Sequence, residues 1–161
     1  MNPSQTKLSP STIRDVLLFD LAVHLDNRGW LSELLRRDDD AFVGFGQLYV
    51  VNNFQRNVVR AFHKHLKQDE FFFVTHGVIE FILVDEREDS ETCGGRNTFI
   101  LRGEHPQALY VPRGIQHGSM ALTDGAQILA VTNEPYNPSQ PDEIRRPANA
   151  YGEGLWILGG W

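Results

Sequence analysis

The sequence predicts an all-β fold, an antiparallel sandwich or barrel, from three observations. Short segments rich in Val, Ile, Leu and Phe recur along the chain, and Gly, Pro, Asn and Asp punctuate the gaps between them. The 161 residues, 41% of them hydrophobic, suit one domain (1–161, core about 18–147) with a sizeable core. Neither an internal repeat nor a linker divides the chain.

The segments follow in order. "VLLFDLAVHL" (16–25) is bulky and branched and stops at "DNRG". "WLSELL" comes next, although "LSELLRR" fits a helix as well as a strand. "FGQLYVVNNF" and "NVVRAFHKHL" read as the next two strands, then "EFFFVTHG" and "VIEFILVDE" around Gly77. "TFILRG", "ALYVPRG", "HGSMALT" and "QILAVTNE" complete the set. The tail "PANAYGEGLWILGGW" places tryptophans among glycines, so it is expected to dock on the body or on a second subunit.

Composition narrows the classes of partner. A net charge of −6 argues against nucleic acid or an anionic membrane as the main one. The acidic runs "RRDDDAF" and "DEREDSE" read as solvated loops. No apolar run is long enough to span a bilayer, and "MNPSQTKLSPSTIRD" lacks the apolar core of a secretory signal. Cys93, the single cysteine, sits in the turn "SETCGGRN"; a reducing, cytoplasmic setting is the expectation.

One stretch carries chemistry. In "RAFHKHLKQDEFFFVTHG", His63 and His65 share a face of an extended strand while Lys64 points the other way. If "NVVRAFHKHL" and "EFFFVTHG" are antiparallel neighbours, Glu70 lies near both. Further on, Pro112 and Gly114 in "VPRGIQHGSM" make a tight turn and His117 opens the next strand. Imidazoles with one carboxylate suit a divalent ion such as Zn, Fe, Mn, Ni or Cu. A lone H-x-H on a strand is more often plain surface or core. Four ligand-type residues in a chain of only 6 histidines is the stronger signal, and His24, His76 and His105 read as ordinary solvated or capping side chains.

The spacings H-x-H-x4-E-x6-G (His63, His65, Glu70, Gly77) and P-x-G-x-x-H (Pro112, Gly114, His117) resemble the two motifs of the cupin superfamily. That resemblance implies a double-stranded β-helix, or small jelly-roll barrel, with His63, His65, Glu70 and His117 holding one divalent metal ion. Asn57 and Pro106 stand where the motifs open on glycine, and Ala121 where the second closes on asparagine. The flanks "DNRGWLSEL", "GQLYVVNN", "VVRAFH", "VPRGIQHGSMALTDG" and "EPYNPSQPDEI" resemble, in order, the dTDP-4-dehydrorhamnose 3,5-epimerases. Those enzymes act beside the ketone of a nucleotide-linked sugar. The likeness implies Arg28, Glu33, Gln47 and Arg60 as substrate-binding residues, His63 as general base, and Tyr136 as a second catalytic candidate. It also implies a homodimer that exchanges N-terminal strands.

The departures redirect that reading. The epimerase's catalytic tyrosine aligns with Ala130 and its lysine with Glu70, and no aspartate in the C-terminal segment is evident to orient His63. "RAFHKHLKQDE" is similar instead to a metal-binding branch of sugar-epimerase cupins. A metal-bound His63 cannot also be a free base. Either the metal polarises the ketone and Tyr136 or a metal-bound hydroxide takes the proton, or the metal is structural. The expected function is therefore epimerisation or isomerisation beside the carbonyl of a keto-sugar. The rivals are a metal-dependent dioxygenase and a non-catalytic sugar-binding cupin.

Overall fold

A computed structural model describes residues 5–8 and 11–156. Its strands in chain order are β1 (Gln5–Leu8), β2 (Leu17–Leu21), β3 (His24–Asp26), β4 (Gly29–Leu31), β5 (Gln47–Asn53), β6 (Val59–Lys64) and β7 (Glu70–His76). They continue with β8 (Val78–Asp85), β9 (Arg96–Arg102), β10 (Gln107–Val111), β11 (Ile115–Ala121), β12 (Ala126–Thr132) and β13 (Ile144–Arg145). A six-stranded sheet has the order β1-β2-β10-β7-β12-β5, a five-stranded sheet the order β13-β6-β11-β8-β9, and β3 with β4 makes a hairpin. Every pairing is antiparallel. This is the expected all-β jelly-roll. No helix lies among the described residues, "LSELLRR" included, and none is long and apolar enough to cross a membrane.

Alternation explains both sides of the larger sheet. On β7, Phe72 and Val74 point between the sheets and join Phe81, Leu109 and Ile128 in the main core. Phe71 and Phe73 point the other way and pack with Phe19, Leu21 and Val131 under Leu34, Leu35 and Ala41. An apolar run such as "FFFV" is what a strand buried on both faces requires. Gly77 turns β7 into β8 with a φ of +71°, and a Cβ there would stand 2.4 Å from Thr123 Oγ1, so glycine is needed.

Four expectations are corrected. The 16–25 segment breaks at Ala22 and Val23, so its end belongs to the exposed β3–β4 hairpin. "WLSELL" keeps only Trp30 and Leu31 in a strand, because Leu34 and Leu35 are drawn onto the outer face of the six-stranded sheet. His117 is not the first residue of its strand, which begins at Ile115. Most important, β6 and β7 are not neighbours but lie in opposite sheets. The connecting segment His65–Asp69 cannot fold into a hairpin, since its backbone is held elsewhere. His65 O accepts from Gly114 N, Asp142 takes the N–H groups of Leu66, Lys67 and Gln68, and Asn133 takes that of Asp69.

The tail docks on the body over the outward face of β6. Phe62 packs edge-on against Tyr151 at 4.9 Å and against Trp156 at 5.3 Å between ring centroids, while Trp161 lies outside the described residues.

Candidate active site

The strands deliver four ligand-type side chains to one point inside the barrel. His63 on β6 is directly opposite His117 on β11, so both rings share a face, at 4.2 Å between centroids. His65 follows just past β6. Glu70 starts β7 in the facing sheet and points inward with Phe72. One donor atom from each of His63, His65, Glu70 and His117 lies within 4.8 Å of every other.

Hydrogen bonding fixes what each donor offers. His117 Nδ1 sits 3.0 Å from Ile115 O and His65 Nδ1 against Asp142 O. A carbonyl only accepts, so in both rings Nδ1 carries a proton, and Nε2 is the nitrogen turned toward Glu70. His117 Nε2 and His65 Nε2 stand 2.9 and 3.7 Å from Glu70 Oε2. Yet His117 Nε2 and Glu70 Oε2 are both buried without a hydrogen-bond partner. Glu70 is only 1% exposed, and buried charge of this kind is paired or bound to metal. The bare atoms of the cluster are what a divalent cation with nitrogen and oxygen ligands would satisfy.

The electrostatics divide the cluster. Burial pushes the His63 ring down to about 3, and His117 beside it adds to the fall. Burial alone would raise the Glu70 carboxyl, but the surrounding imidazoles outweigh it and hold it low. Burial alone would lower the His117 ring, but Glu70 beside it outweighs burial and draws it up, so without an ion the carboxylate is matched by His117, and ligation would release that proton.

A cavity of about 480 Å³ opens over the cluster, lined in part by Gln47, Tyr49, His63, His65, Lys67 and Tyr136. Gln47 Oε1 accepts the backbone N–H of Tyr136 at 2.9 Å, which ties the cavity rim to β5. A smaller cavity of about 60 Å³ shares Tyr49 and His63 with the first and adds Arg60, Ser119 and apolar walls. Arg60 and His63 are three apart on β6, a spacing that a regular strand would send to opposite faces. Against β11, however, Arg60 pairs with Ser119 and His63 with His117, so β6 carries a bulge and both residues line that cavity.

Of the residues singled out from sequence, His63, His65, His117, Gln47, Tyr136 and Arg60 line these two cavities, and Glu70 joins them through the cluster. Arg28 and Glu33 do not. Arg28 pairs with Asp26 on the β3–β4 hairpin and Glu33 with Arg36. Sequence reasoning missed Tyr49, whose hydroxyl donates to Glu70 Oε1 at 3.2 Å, and Gln68, whose Nε2 donates to the same oxygen at 3.1 Å. Strand alternation from Gln47 carried a signal for Tyr49. It also missed Asp142, which serves His65 through its carbonyl.

The family model for dTDP-4-dehydrorhamnose 3,5-epimerase matches residues 10–152. The spore coat polysaccharide biosynthesis protein SpsL of Bacillus subtilis is 38% identical over 79% of this chain and 84% of its own. The probable low-salt glycan biosynthesis epimerase Agl13 of Haloferax volcanii is 35% identical over 84% of this chain and 88% of its own. Among solved structures, a dTDP sugar isomerase from Desulfovibrio desulfuricans superposes with a TM-score of 0.78 at 27% identity, covering 86% of this chain and 87% of that one.

Proposed function

This chain belongs to the dTDP-4-dehydrorhamnose 3,5-epimerase family, and from that premise we propose a metal-assisted epimerase of a nucleotide-linked keto-sugar. His63, His65 and His117 with Glu70 would hold one divalent ion. The observation that supports the metal is the buried pair His117 Nε2 and Glu70 Oε2, 2.9 Å apart with neither atom in a hydrogen bond, while Ile115 O already engages His117 Nδ1. When bound, such an ion supplies Lewis-acid polarisation of a ketone and so acidifies the adjacent C–H bonds.

The chain's own groups do the rest. His63 is a ligand in this reading and not the free base. Tyr136 Oη, on the cavity rim, would serve one face of the carbon beside the carbonyl, taking its proton as phenolate or giving one back as phenol, and water admitted to the cavity would exchange the proton on the other face. Gln47 holds the Tyr136 backbone in place. Arg60 offers a guanidinium fork to a phosphate or sugar oxygen from the second cavity. Membership in an epimerase family favours neither the oxygenase nor the non-catalytic sugar-binding reading.

A second copy of the chain belongs to the proposal. Leu25, Trp30 and Leu31 on the hairpin, and Leu48 and Val50 on the edge strand β5, are exposed apolar side chains that a homodimer would cover. Since Arg28 and Glu33 stand away from this chain's cavity, a substrate role for them is served in the cavity of the other copy.

Elemental mass spectrometry on the purified chain tests the metal directly. One equivalent of a transition metal in the wild type, and most of it missing from His65→Ala, is the expected result. Equal content in both proteins would remove His65 from the ligand set, and none in either would remove the metal.

A further inference from the structure

The two oxygens of Glu70 are treated differently by their surroundings. Oε1 accepts from Tyr49 Oη at 3.2 Å and from Gln68 Nε2 at 3.1 Å, whereas Oε2 has no hydrogen-bond partner and faces His117 and His65. We infer that Tyr49 and Gln68 are positioning residues that make Glu70 a ligand through Oε2 alone, an inference that rests on the metal reading above.

The sheet order shows how unusual the Tyr49 contact is. Tyr49 stands on β5 and Glu70 on β7, with β12 between them. The residue of β12 directly opposite Tyr49 is Ala130, which is fully buried. Neighbouring strands are about 4.8 Å apart, so the phenol has to cross over an intervening strand to reach the carboxylate. A methyl side chain at position 130 leaves it that path. A larger one would stand in the way.

Gln68 completes the clamp from the other side. It lies in the segment whose N–H groups are held by Asp142, so its side chain starts from a fixed backbone. Turning the carboxylate to bind through both oxygens would cost Oε1 its two donors, and hydrogen bonds to an ionised carboxylate are among the stronger ones. The clamp therefore selects one-oxygen ligation. Three imidazole nitrogens and one carboxylate oxygen suit a first-row transition ion, and are too few hard donors for calcium.

Cobalt(II) is the probe, because its visible ligand-field bands report coordination as well as binding. The chelator-washed full-length chain is titrated as wild type, Tyr49→Phe and Gln68→Met, with the unfolding midpoint of each metal-free protein measured alongside. Tyr49→Phe keeps the ring and deletes one oxygen; Gln68→Met keeps the length of the side chain and stands in should the first variant not fold. The expected result is a loss of affinity of about tenfold in each variant, with shifted bands and an unchanged metal-free midpoint. Wild-type affinity and bands in the variants would overturn the inference. So would a weaker affinity with unchanged bands that merely follows a lower metal-free midpoint, since packing alone would explain it. A wild type that takes up no cobalt would instead bring down the metal reading, and this inference with it.

Discussion

Glu70 sets the terms of the site, because an ionised carboxylate 1% exposed must be matched by something. Two of its neighbours are imidazoles whose Nδ1 protons are already given to backbone carbonyls, so their Nε2 atoms converge on it. The four ligand types were legible in the sequence through two spacings, H-x-H-x4-E for His63, His65 and Glu70 and P-x-G-x-x-H for His117. The groups that hold them were not. Asp142 is 77 positions from His65, and a backbone carbonyl leaves no mark on a residue string. At this scale Tyr136→Phe is expected to slow hydrogen exchange into a bound keto-sugar by about 100-fold, the lower end for a lost proton carrier, with metal content unchanged. Exchange kinetics in heavy water with elemental analysis read both. Arg60→Ala is expected to weaken nucleotide-sugar binding about tenfold and likewise to leave the metal in place, as calorimetry would show. Unaltered affinity would place Arg60 outside the substrate site.

Elements position these residues by departing from regularity. The bulge in β6 turns Arg60 onto the same side as His63, and the segment His65–Asp69 crosses between sheets instead of closing a hairpin. Strand existence could be read from composition, but pairing could not. The contacts that send β6 and β7 to different sheets come from Gly114, Asn133 and Asp142, all remote in sequence. The β8–β9 connection has its own internal frame. Asp85, 1% exposed, accepts from Arg87, Ser90 and Thr92 and closes a loop that sequence reading took as merely solvated. Burial alone would raise its carboxyl, but those donors outweigh it and hold it well below the usual range. Because the folded value lies below the unfolded one, this contribution is present in full above about pH 4 and is lost as pH falls through the folded value. Asp85→Asn is expected to cost about 3 kcal/mol at neutral pH and to flatten the acid side of the stability profile. Denaturant unfolding from pH 7 down to pH 3 would measure both.

At the scale of the molecule, two antiparallel sheets enclose the cluster, and the family that this fold and sequence belong to acts on sugar nucleotides. The barrel was legible as a succession of short strands. Its outer surface was not, since Leu48 and Val50 look like core residues until β5 proves to be an edge strand facing outward. If a second copy covers that face, light scattering will give twice the 18.3 kDa chain mass, and Leu48→Lys with Val50→Lys will return it to a monomer. The most direct test of the whole account is transfer of deuterium from heavy water into a dTDP-4-keto-6-deoxy sugar, followed by NMR at the carbons flanking the carbonyl. It is run on the chain as purified, after chelation, and after metal is restored. Exchange, its loss and its return are the expected results. Full exchange by the metal-free chain would contradict the role given to the cluster, and no exchange under any of the three conditions would contradict the enzyme.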